Sequence, residues 1–175
     1  MKTVATKYSW DRKQPSKLSR AFLLRIEVRS HPKLLGVIRG ALQPLADLFG
    51  FSPEHSRAII RAVDEAVSNI MRHSYQGRLD QPIEVYCNRL QRRTNAEIEE
   101  GVELLLIDCG PAVDPTKLRA RSLDEIRPGG LGLHIIRGSM DVVQYKRAGH
   151  LNQLRLVKYT RPTKHGRQSV QERTM

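Results

Sequence analysis

Apolar positions recur along the chain with two periods, and the change from one to the other marks out the elements. Phe22, Leu24, Ile26 and Val28 alternate with Leu23, Arg25 and Glu27, the period of two that predicts a strand. Leu34, Leu35, Ile38, Leu42, Leu45 and Leu48 then recur at helical spacing behind Ser30-His31-Pro32, a cap followed by a first-turn proline. Pro44 is expected to bend or interrupt this helix, and Gly50 to end it. Ser52-Pro53-Glu54 restarts a helix that should run to about Tyr75, with Ile59, Val63, Ala66, Val67 and Ile70 on one apolar arc. After a turn over residues 76–82, Ile83, Val85 and Cys87 alternate into a second strand, to about Leu90. The polar residues 92–101 read as a hairpin connection, and the apolar run 102–107 as a buried central strand. A basic, irregular segment leads to Pro128. Gly129-Gly130-Leu131-Gly132-Leu133 then opens a helix to about Met140. Residues 142–147 and 152–159 close the pattern as two strands turning at Gly149. This order predicts an α+β fold: a two-layer α/β sandwich whose mixed, mostly antiparallel sheet is covered on one face by helices.

The length of 175 residues fits one domain over residues 21–160, with basic tails at residues 1–20 and 161–175. Hydrophobic residues make up 39% and charged ones 27%, a globular balance with no apolar run approaching a membrane span. No leader-like apolar segment opens the chain, and two cysteines, Cys87 and Cys109, both placed on strands, are too few for a disulfide framework. A cytoplasmic protein with reduced thiols is therefore expected. The net charge of +12 raises the question of nucleic acid. Residues 1–20 and 155–175 each carry +5, so the remaining body is close to neutral. Nucleic acid is thus not an expected partner, except weakly through the tails.

Three stretches carry candidate chemistry. Glu65 and Asn69 are four apart, neighbours on the polar arc of a helix whose other arc faces the core. Asparagine is a poor mid-helix choice. Taken alone, the pair also fits a solvated face with Glu65 bound to Arg61 or Arg72. Asp108 ends the central strand just before Cys109-Gly110, a turn or else an acceptor aimed at an exocyclic amine, with Gly110 letting backbone approach a flat ring. Gly129, Gly130, Leu131 and Gly132 precede an apolar helix, a flexible start or a phosphate-binding helix end. This is neither a dinucleotide fingerprint, since Ile135 stands where the third glycine belongs, nor a P-loop. The six histidines show no zinc spacing, and no serine sits in a nucleophile elbow.

Taken in order, Glu65-x-x-x-Asn69, Asp108-x-Gly110 and Gly130-x-Gly132-Leu133 resemble the N, G1 and G2 boxes of the histidine-kinase-like ATPase superfamily. Gyrase, a heat-shock chaperone and mismatch-repair ATPases belong to the same superfamily. The chain is most similar to its anti-sigma-factor serine/threonine kinases, through Asp64-Glu65-Ala66, Asp114-Pro115, Ile136-Arg137 and Met140-Asp141. The resemblance spans residues 22–159 and implies ATP and Mg²⁺ as cofactors. It assigns Asn69 to the metal, Asp108 to the adenine amino group and Glu65 to the general base. Gly110, Gly129, Gly130, Leu131, Gly132 and Leu133 would line the nucleotide, with residues 111–129 as a lid. Ala112 departs from the family pattern, which often has a second glycine there. The implied partners are a sigma factor and an anti-anti-sigma antagonist phosphorylated on serine, and the resemblance suggests a homodimer. The alternative function is a nucleotide-gated binding switch that transfers no phosphate.

Overall fold

A computed structural model of the chain describes residues 18–93, 98–112 and 132–160. Five strands form one sheet in the order β1-β2-β3-β5-β4: β1 (Leu18–Arg29), β2 (Pro82–Arg93), β3 (Ile98–Asp108), β4 (Val142–Ala148) and β5 (Leu151–Tyr159). All four described ladders are antiparallel, so the expected sheet is more uniform than mixed. One face is covered by α1 (Leu35–Leu48), α2 (Pro53–Asn69) and α3 (Gly132–Ser139). Among the described residues no helix is long and apolar enough to cross a membrane.

Sequence dictates these elements with a few local corrections. β1 starts at Leu18, inside the stretch expected to be tail. Its pairing with β2 skips Leu23, so Phe22 and Leu24 fall on opposite faces. Phe22 is consequently 55% exposed, against the Tyr86 ring, while Leu24, Ile26 and Val28 join the core. His31 rather than Ser30 caps the first turn, its Nδ1 accepting from the Lys33 amide at 3.2 Å. Ser30 instead bridges to the loop before β2, donating to the Arg78 carbonyl and accepting from the Gln81 amide. α1 runs unbroken through Pro44. That proline is exposed, so the carbonyl its missing N–H leaves unpaired faces solvent. α2 begins as predicted, with Ser52 Oγ accepting from the His55 amide and Pro53 in the first turn.

The expected hairpin connection at residues 92–101 is mostly ladder. Arg92 pairs with Glu99 and Arg93 with Ile98, held by the Arg92–Glu99 ion pair at 2.6 Å and by Arg92 stacked over the Tyr159 ring. Residues 94–97 lie outside the described set. Cys87 is on β2, but Cys109 lies one residue beyond β3 and is exposed; both are free thiols. The main core fills the space between helices and sheet, with Ile38, Val63, Val67, Ile83, Leu104 and Leu156 at its centre. On the opposite face Glu103 is 1% exposed. Its Oε1 accepts from Arg155 Nε and Arg20 Nη2, both at 2.5 Å, and its Oε2 from Asn88 Nδ2 at 2.9 Å.

Candidate active site

The site is built from the C-terminal half of α2, the start of α3 and one end of the sheet. α2 buries Val63, Ala66 and Val67, which turns Glu65 and Asn69 away from the core, both half-buried. The expected helix to Tyr75 does not continue as α-helix. Residues Ile70–Ser74 form a π-helical turn, closed by the Tyr75 amide donating to the Ile70 carbonyl at 2.9 Å. Such a turn widens the helix by a residue and commonly marks a working site. Here it delivers Ser74 and Tyr75, both buried, to the end of β3.

Glu65 Oε1 and Asn69 Oδ1 converge on a single cation. Arg72 Nη2 donates to the first at 3.0 Å and to the second at 3.1 Å. The ion pair to Arg72 considered from sequence is therefore formed, and it shows two hard oxygens facing one positive centre. Among the described residues no three His, Cys, Asp or Glu side chains could gather round a metal ion. A cation bound here would rely on these oxygens and on those of a ligand, the pattern Mg²⁺ accepts. Across from them α3 begins. A Cβ on Gly132 would crowd Glu65 Oε1 and lie 2.8 Å from its Cδ, so glycine lets α3 start against that carboxylate without displacing it. Leu133 follows, half-buried. Gly130, Leu131 and most of the expected lid, residues 113–129 with Asp114, Pro115 and Gly129, lie outside the described residues.

At the sheet end Asp108 is 5% exposed. Its Oδ1 accepts from the Gly110 amide and from Asn152 Nδ2, each at 2.8 Å. Burial pushes this carboxyl above the ordinary carboxylate range, opposed by hydrogen bonds from Asn152, Gly110 and Ser74 and by the nearby Arg147. Gly110 is required by contact, since a Cβ there would meet Ser74 Cβ at 2.6 Å. Tyr75 ties this turn to the helix side: its hydroxyl donates to the Pro82 carbonyl at 2.6 Å and accepts from the Cys109 amide at 2.9 Å. Burial raises that phenol to about 12, so it stays a neutral donor. Arg147 Nη1 donates to the Gly110 carbonyl at 2.7 Å.

The structure thus brings Glu65, Asn69 and Gly132 together at one end of the site and Asp108 with Gly110 at the other, joined through the π-turn. Sequence reading missed Ser74, Tyr75, Arg147 and Asn152. One signal was present: Asn152 is an asparagine inside a strand, where its type is disfavoured.

A histidine kinase-like ATPase domain model matches residues 28–158, which contain both clusters. The chain belongs to that family. Among other members it is 27% identical to the serine-protein kinase RsbW of Bacillus pumilus, over 70% of this chain and 76% of the relative. It is 34% identical to the serine/threonine-protein kinase BtrW of Bordetella bronchiseptica, over 57% of this chain and 67% of the relative. These names bear out the expected enzyme class, a protein serine/threonine kinase. A crystal structure of RsbU and RsbW domains from Mycobacterium tuberculosis shares the fold, with a TM-score of 0.50 at 15% identity. That match covers 77% of this chain and 31% of the other, so the chain spans about a third of that larger protein. The matched span of the histidine kinase-like ATPase family includes Glu65, Asn69, Asp108, Gly110 and Gly132.

Proposed function

We propose that this chain is an ATP-dependent serine/threonine kinase acting as an anti-sigma regulatory factor, which binds a sigma factor and phosphorylates an anti-anti-sigma antagonist on serine. The observation that carries this reading is the placement of Glu65 one turn before Asn69, with the first residue of α3 packed against its carboxylate. Asp108 would accept from the adenine amino group, and Gly110 would let the purine lie flat on the turn. Asn69 would hold Mg²⁺, which when bound supplies charge stabilisation to the triphosphate oxygens. The N-terminus of α3 adds backbone N–H groups beside the same point. Glu65 would take the proton of the incoming serine hydroxyl as its oxygen bonds to the γ-phosphorus, the bond to the β-phosphate oxygen breaks, and ADP leaves.

One observation favours the alternative, a nucleotide-gated switch without transfer: the Glu65 carboxylate is already engaged by Arg72. A base must be released from that pair to act, whereas a switch needs no release. Incubating the protein with labelled ATP, Mg²⁺ and the antagonist encoded nearest to it separates the two. Phosphoserine on the antagonist is the expected result; nucleotide-dependent binding with no transfer would establish the switch.

A further inference from the structure

We propose that Asn152 is the positioning residue that makes Asp108 selective for a 6-aminopurine, an inference that rests on the ATP-binding reading above. Asp108 at the end of β3, Asn152 on β5 and Arg147 on β4 stand directly opposite one another in the ladders, one row across three strands. Asn152 is 2% exposed and uses both ends of its amide. Its Nδ2 donates to Asp108 Oδ1 at 2.8 Å and to the Pro111 and Gly110 carbonyls at 3.0 and 3.3 Å. Its Oδ1 accepts from Tyr145 Oη at 2.5 Å and Arg147 Nη1 at 2.6 Å. The amide has only one workable orientation, because a guanidinium can only donate and carbonyls and carboxylates can only accept.

This hub decides what Asp108 offers a ligand. With Oδ1 already accepting from Asn152 and Gly110, the carboxylate cannot rotate without breaking both bonds. Ser74 adds a further hydrogen bond to the same carboxylate, so its orientation is held by three partners. A 6-amino group donates to such an acceptor; a 6-oxo group presents another acceptor and is refused. Fully satisfied buried networks of this kind hold one geometry because partial satisfaction is costly. Arg147 and Asn152 also grip the Gly110 and Pro111 carbonyls, so the same hub fixes the turn under the purine.

The test is calorimetric affinity of wild type, Asn152→Ala and Tyr145→Phe for ATP, GTP and purine riboside triphosphate, which lacks only the 6-amino group. Wild type should prefer ATP over purine riboside triphosphate by about tenfold or more. Asn152→Ala should lower ATP affinity, leave purine riboside triphosphate nearly unchanged and compress the preference to about threefold or less. Tyr145→Phe keeps the volume and removes one donor to the amide, so it should shift the ratio the same way by about twofold, and it decides the matter if Asn152→Ala does not fold. A merely structural role would weaken both nucleotides equally; an unchanged ratio in both variants overturns the proposal while leaving ATP binding intact. A wild type that binds no ATP overturns the functional reading itself, and with it this inference.

Discussion

At the scale of single residues, the two ends of the site make different demands on a substitution. Asp108→Asn keeps the shape and presents a donor where the adenine amine needs an acceptor, so ATP affinity should fall about 10- to 150-fold by calorimetry. The same change has a stability signature. Because burial raises the Asp108 carboxyl, its neutral form contributes stability below the unfolded-chain value of about 3.9, and this is lost as pH climbs through the folded value. At neutral pH the ionised group is a cost that asparagine lacks. The variant should therefore melt no lower than wild type at pH 7, with the comparison shifting towards wild type near pH 4. Glu65→Gln should leave ATP affinity nearly unchanged while antagonist phosphorylation falls about 10²- to 10⁴-fold, and a wild-type rate would remove Glu65 from the mechanism. Glu65 and Asn69 were legible as a pair because their spacing places them on one helix arc, and Asp108 because it ends a buried strand just before Gly110; their expected roles came from the family resemblance. Tyr75 and Asn152 were not, because their decisive partners are 34 and 44 residues away, and nothing short of the folded register brings Cys109 to one or Asp108 to the other.

At the scale of elements, helices and strands were readable from period and caps, and the departures have local physical causes. The Ser52-Pro53 start of α2 was written in the sequence, but its end was not, since a π-turn keeps the same apolar residues inward as an α-turn over so short a stretch. Phe22 looked like a core position until the skipped Leu23 reversed its face. The polar run 92–101 reads as a connection because charged residues are poor strand formers singly; in opposite-sign pairs across two strands they hold the ladder. The π-turn yields its own prediction. Tyr75→Phe leaves the Pro82 carbonyl and the Cys109 amide without the hydroxyl that joins them, which should destabilise the fold by about 1–3 kcal/mol in denaturant unfolding. Because Cys109 adjoins Asp108, ATP affinity should fall in the same variant; unchanged stability and affinity would show that the link between helix and turn is dispensable.

At the scale of the whole molecule, the charge excess and the chemistry occupy different parts of the chain. Removing residues 1–17 and 161–175 should leave ATP affinity within about twofold, while any affinity for polyanions drops and its salt dependence flattens. Calorimetry and a salt titration against heparin check both halves of that expectation. The buried group of Glu103, Arg155 and Asn88 on the far face of the sheet, joined from the exposed side by Arg20, bears on the chain's history rather than its mechanism. Removing one charge from such a group strands the others and costs about 3–5 kcal/mol, whereas exchanging the charged members together for apolar residues is often neutral. Single steps away from the present arrangement are thus penalised even where the destination is not. A lineage carrying this sheet should inherit the group as a block, with strong sign epistasis among its members, and change it only through a rare multiple substitution or after stability has been gained elsewhere.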